Sequence, residues 1–201
     1  MTQKNNASSL YLFVSIGLFI FCGTSCAYKY KSIDPLNLEY SNAPKKLDSS
    51  NVEITYQYNI LKKSKNRKYA KMEKLEGVSL IAILIDNPGV DTLYFSEDIL
   101  IYSENELLNP LDLRDANMLL AQPHPREGET LDDQSFLGEF VFNFIPNIVN
   151  TIKLKKANLR FWNEMDENYL VDSIILPGAT VSGVVALPVL LNEPLTFYLK
   201  K

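Results

Sequence analysis

The chain has 201 residues, 20 Lys and Arg against 24 Asp and Glu, and a formal net charge of −4. That acidic balance argues against a nucleic-acid binder, whose footprint is a basic domain. Two cysteines, Cys22 and Cys26, are too few for a disulfide-stapled fold, so stability must come from burial, for which a chain of this length is sufficient.

The first segment is Lys4 followed by an apolar run, Leu10–Cys22, and the small residues Gly23, Thr24 and Ser25 before Cys26. A positive start, an apolar stretch of roughly 7–15 residues and small residues at the cut make an export signal. The run falls short of the about 20 residues of a membrane-spanning helix. The layout resembles a bacterial lipoprotein signal over residues 1–26: Thr24 and Ser25 match the lipobox, and Gly23 stands where leucine is usual. The resemblance implies that residues 1–25 are a signal peptide and that Cys26 is diacylated and holds the mature chain to a membrane. Each buried acyl methylene contributes about 0.8 kcal/mol, and stable anchoring takes more than one chain, which a diacylglyceryl cysteine provides. Cys22 would leave with the signal and Cys26 would be capped, so the mature chain is expected to hold neither a free thiol nor a disulfide. By analogy with lipoprotein sorting, Ala27 in place of aspartate favours the outer membrane. The lack of an acidic stretch after Cys26 favours the periplasmic side, with surface exposure as the alternative.

Residues 26–50 read as the lipidated cysteine and a polar tether, in which Leu36, Leu38 and Tyr40 alternate and could dock as an edge strand. A single domain is expected over 51–201. Val52–Ile60 alternates as a strand with one buried face, and Arg67–Leu75 is a short helix capped by Asn66 and stopped at Gly77. Val78–Ile85 is nearly all apolar, as in a central strand. Asp86–Gly89 is turn chemistry, Thr92–Phe95 and Ile99–Tyr102 are short strands, and Ser103–Glu106 is a hairpin tip. Later, Ala157–Trp162 and Tyr169–Leu176 read as strands around an acidic tip, Asn163–Asn168, followed by strands at Thr180–Leu187 and Leu195–Leu199.

Short strands at regular spacing argue a β-sandwich. The stretch from Leu176-Pro-Gly to Leu199, with Tyr56-Gln-Tyr and the Asp86-Asn-Pro turn, resembles the closing strands of immunoglobulin-like domains in bacterial lipoproteins of unknown function. The fold expectation is therefore mainly β: an immunoglobulin-like antiparallel β-sandwich with a helical insertion over about residues 109–156.

Within that insertion, Pro110 opens a helix through about Ala121, and a Pro-rich acidic loop follows. Phe136–Ile152 places Leu137, Phe140, Phe144, Ile145, Ile148 and Ile152 on one broad helical face, with Pro146 on the polar side where it would kink or split the helix. This face either packs on the sandwich or, through Phe136, Phe140, Phe144 and Ile148, contacts a protein partner. Its polar side lacks the Lys and Arg of a membrane-surface helix.

The search for chemistry is short. His124 lies between two prolines and reads as a solvated loop residue, and no Gly-x-Ser-x-Gly elbow occurs. The acids Glu127, Glu129, Asp132 and Asp133, and again Glu164, Asp166 and Glu167, lack the spacing of a calcium loop. The basic run from Lys62 to Lys68 reads as a solvated connector, or as a contact for acidic headgroups or glycans. Trp162 reads as a core residue. The sequence thus points to a membrane-anchored, non-catalytic envelope binding or scaffold module, with no metal, cofactor or nucleic acid. A small-ligand or glycan-binding lipoprotein is the alternative, and a hydrolase with an unrecognised site is the third.

Overall fold

A computed structural model describes residues 29–40, 45–47, 51–123, 145–191 and 194–200, without the side chains of 45, 46 and 145–149. Cys26, His124, Phe136, Phe140 and Phe144 lie outside the described residues, as do the acids from Glu127 to Asp133. The chain divides into two compact units. One comprises Met1–Lys29 and His124–Lys155; the other comprises Tyr30–Pro123 and Lys156–Lys201. Of the first, the described part is Lys29 and the opening turns of a helix that starts at Ile145.

The second unit is built on antiparallel sheets. Strands β1 (Lys45–Leu47), β2 (Val52–Gln57), β3 (Ser79–Asn87) and β8 (Ala179–Leu187) form a four-stranded sheet in that order. Strands β5 (Ile99–Ser103), β6 (Glu106–Leu108) and β9 (Thr196–Leu199) form a three-stranded one, ordered β6-β5-β9, and β4 (Leu93–Tyr94) pairs β7 (Ile174–Ile175). The helices are α1 (Ile60–Lys63), α2 (Arg67–Glu76), α3 (Phe95–Asp98), α4 (Leu113–Leu120) and α5 (Ile145–Asn168), with a 3-10 turn at Pro35–Asn37. None of the described helices is long and apolar enough to cross a membrane. Among the described residues helix and strand are comparable, at 36% and 31%, a mixed α and β content in small antiparallel sheets.

The central position of β3 follows from its composition. In register, Ile83 faces Tyr56 of β2 on one side and Gly183 of β8 on the other. Ile81, Ile83 and Ile85, with Val185 and Leu187, enter one apolar cluster that also takes Ile101 and Phe197 from the three-stranded sheet and Ile175 from β7. The alternate residues Leu80, Ala82, Val184 and Ala186 are also buried but lie outside that cluster. Both faces of the central strands are thus covered, which is why alternation fails there.

Turn chemistry fixes the ends. Gly77 closes α2 in the left-handed conformation at φ 68°. The β5–β6 hairpin turns through Glu104 and Asn105, both at positive φ, as a two-residue hairpin turn requires. The Asn87 side chain, 1% exposed, donates to Asp91 O at 2.8 Å and accepts from Gly89 N at 3.2 Å, so the expected Asp86–Gly89 turn is held by its own asparagine.

Three expectations are corrected. Ala157–Trp162 is helix, and Asn163–Asn168 is the end of α5 rather than a hairpin tip. Ala157, Phe161 and Met165 recur every four residues and are all buried, a helical stripe. α4 starts at Leu113, because Asp112 caps it by accepting from Asp115 N at 2.7 Å, three residues after Pro110.

The exit of α5 sets a close approach. Leu170 N donates to Val184 O at 3.1 Å, and a Cβ at Gly183 would stand 2.4 Å from Asn168 O and 2.5 Å from Leu170 Cγ. Glycine at 183 lets the helix end lie directly on β8.

Candidate functional site

The segment expected to begin a tether is docked on the body. Tyr30 is 8% exposed and Ile33 is 4% exposed. The carboxylate of Glu164, on α5, accepts from the Tyr30 hydroxyl, from Ser32 Oγ at 2.5 Å and from Ile33 N at 2.5 Å. A carboxylate holding three donors fixes the path of the segment, since charge-assisted bonds are about twice as strong as neutral ones. Burial pushes the Tyr30 hydroxyl well above its ordinary range, and the hydrogen bond to Glu164 pushes it further in the same direction. Tyr30 therefore stays a donor.

A second grip comes from Asn66. It stands at the N-cap of α2, but its side chain makes no capping bond. Oδ1 instead accepts from Lys31 N at 2.7 Å, and Nδ2 donates to Lys31 O at 2.8 Å. One amide thus satisfies both backbone groups of Lys31, as a neighbouring strand would. Beneath it, Tyr30 packs edge-on against Tyr69 (5.2 Å, 71°) and Phe161 (5.3 Å, 72°). The Tyr69 hydroxyl donates to Asn158 Oδ1 at 3.0 Å, and burial pushes it up to about 12. Asn158 also bridges Gln122, accepting from its N at 3.1 Å and donating to its O at 2.9 Å.

This cradle is filled. The space among Tyr30, Ile33, Leu80, Glu164, Met165 and Val184 is about 10 Å³, room for about one water. It grips the chain's own N-terminal segment and leaves no room for a ligand.

Two surfaces complete the inventory. A groove of about 340 Å³ is lined by Leu100, Tyr102, Asn105, Thr196 and Tyr198 on the three-stranded sheet, where Tyr102 and Tyr198 meet edge-on at 5.5 Å. The basic run continues into α2: residues 62–74 hold Lys62, Lys63, Lys65, Arg67, Lys68, Lys71 and Lys74 against one acid, Glu73, which is buried.

The other expected site residues separate in space or lie elsewhere. Glu164 turns inward while Asp166 and Glu167 are exposed, so the acidic triplet is no cluster; no group of three His, Cys, Asp or Glu able to hold a metal occurs among the described residues. Trp162 is 40% exposed on α5 rather than in the core. Ile148 lies in α5, with its side chain outside the description. Sequence reasoning missed Tyr30, Asn66 and Glu164. A signal for Glu164 was present: it lies three residues beyond Phe161 and next to Met165, both on the buried stripe.

No protein-family model, curated protein or solved structure matches the chain.

Proposed function

We propose that the chain is a lipid-anchored, non-catalytic module of the bacterial cell envelope. Diacylation at Cys26 holds it to a membrane, the outer membrane on its periplasmic side, and it binds or organises another envelope component. One observation carries this reading. The export-signal layout ends at Cys26, and the chain is gripped by the folded body from Tyr30 onward. A signal cut there leaves four residues, 26–29, ahead of the first gripped one.

The fold reading that goes with it is an immunoglobulin-like β-sandwich carrying helices. Its support is the single apolar cluster shared by the four-stranded and three-stranded sheets. The partner contact is the apolar face of Phe136, Phe140, Phe144 and Ile148, on the sequence pattern alone. Incorporation of labelled acyl chain into the wild type and into Cys26→Ser tests the anchor: label in the first and none in the second is expected, and equal label refutes it.

A second reading, a glycan-binding lipoprotein, is favoured by the groove beside Tyr102 and Tyr198, since sugars stack on exposed aromatic rings. A thermal shift with envelope glycans that disappears in Tyr198→Ala would select it over the first.

A further inference from the structure

We infer that the basic face running from α1 along α2 is a docking surface for an anionic lipid bilayer, and that the anchor at Cys26 delivers it there. The inference rests on the anchoring reading above and adds the orientation of the domain and the chemistry of the lipid.

Charge segregation is the first observation. Residues 62–74 hold seven of the chain's 20 Lys and Arg and only one of its 24 Asp and Glu. A protein that is acidic as a whole carries its densest basic run here, beside a smaller one at Lys153, Lys155, Lys156 and Arg160 on α5. Within α2, Arg67, Lys71 and Lys74 are spaced by four and three residues, so they share one face, while Tyr69 and Glu73 form the buried face. Lys62, Lys63 and Lys65 are exposed just ahead of that stripe.

Position is the second observation. Asn66, inside the strip, holds both backbone groups of Lys31. Lys31 is therefore fixed at the start of the strip. Five residue steps separate Lys31 from Cys26 and span at most about 18 Å even when fully extended. A lipid on Cys26 limits how far that end of the strip can stand from the headgroups, and the strip feels their charge once it comes within about one Debye length, about 8 Å at physiological salt. Clusters of roughly 4–8 Lys and Arg beside a membrane anchor are attracted to anionic lipid, and the attraction is lost in high salt. Glycans or a protein could also be acidic, but the anchor presents the bilayer to this face first.

The test uses the wild-type lipoprotein on vesicles of phosphatidylcholine, with or without phosphatidylglycerol. Amine acetylation is read lysine by lysine by mass spectrometry, beside flotation of the protein. On the anionic vesicles, Lys62, Lys63, Lys65, Lys71 and Lys74 should react several-fold more slowly. Raised salt should abolish that protection. Lys200, which follows β9 in the sheet across the apolar cluster from these helices, should keep its rate. In Lys62→Glu/Lys63→Glu/Lys65→Glu the protection of Lys71 and Lys74 should be lost while flotation persists. Equal rates on both vesicle types, with the protein floating on both, overturn the docking and leave the anchor standing. Failure to float on either overturns the anchor, and the docking with it. Protection that persists in the triple variant also overturns the proposal.

Discussion

The two faces of the four-stranded sheet bury their side chains by different means. On one, Ile81, Ile83, Ile85, Val185 and Leu187 join an apolar cluster completed by Ile101, Phe197 and Leu195, and volume is the main requirement. On the other, Leu80 and Val184 meet Tyr30, Ile33 and Met165, parts of a layer whose pieces are pinned by Glu164, Asn66 and Asn158. The first face has one polar tie, the Tyr56 hydroxyl accepting from Leu195 N at 2.8 Å, and is otherwise open to volume-conserving aliphatic exchange, whereas the second depends on several polar groups in particular places. Packing volume and N-terminal geometry are therefore controlled on opposite sides of the same strands.

The largest expected effect falls on the helical side. Phe161 is 1% exposed and touches both Tyr30 and Tyr69, the latter at 4.7 Å between ring centres. Phe161→Ala should cost about 3–5 kcal/mol in urea unfolding and should open residues 29–40 to proteolysis in the native state. A cost no larger than that of deleting one core methyl group would break the comparison, because the helical layer would then not be a packed one.

The difference between the faces also explains what could be read in advance. The apolar β3, the helix over α2 with its Gly77 stop, the 103–106 hairpin and the closing strands all follow from local rules, and each formed near its expected bounds. The helical layer did not yield in the same way. The sequence pattern ended the helix at Ile152, yet α5 runs on to Asn168 because Ala157, Phe161 and Met165 continue its buried stripe. Asn66 was legible as a cap by position, but its side chain is used 35 residues away in sequence, at Lys31. Glu164 reaches still further back, to Tyr30 and Ile33. Long-range polar bonds leave no periodic trace, so the grip on Tyr30 to Ile33 was invisible to pattern reasoning, which offered docking only for Leu36, Leu38 and Tyr40 within a tether.

A smaller effect should set the two faces apart by pH. Glu73, on the buried side of α2, accepts from Leu80 N at 2.8 Å, and burial raises its carboxyl from 4.5 to about 7 despite that bond. A folded-state value raised above the unfolded one means that the folded chain holds the proton more tightly. The stabilisation is full below about pH 4.5 and is lost as pH rises through about 7. Glu73→Gln keeps an oxygen for Leu80 and removes the titration. It should match the wild type near pH ~4 and exceed its stability by about 1–3 kcal/mol near pH ~8, measured by urea unfolding across the range. A constant difference at every pH would mean that burial does not raise the Glu73 carboxyl above its unfolded value.

The smallest effect belongs to the apolar face and provides the reference for the others. Ile83 is fully buried between Tyr56 and Gly183 in the sheet register, and its side chain enters the apolar cluster. Ile83→Val removes one methylene-sized volume without touching a hydrogen bond, so it should cost about 0.5–1.5 kcal/mol. No titratable group changes with it, so the same loss is expected at about pH 4 and about pH 8. The native-state protease resistance of residues 29–40 should also stay intact, because those residues are held by Glu164 and Asn66 from the far side of the sheet. If Ile83→Val alone loosened that segment, the two faces would be coupled through the strands between them. The N-terminal grip would then depend on packing throughout the domain and not on its own polar bonds.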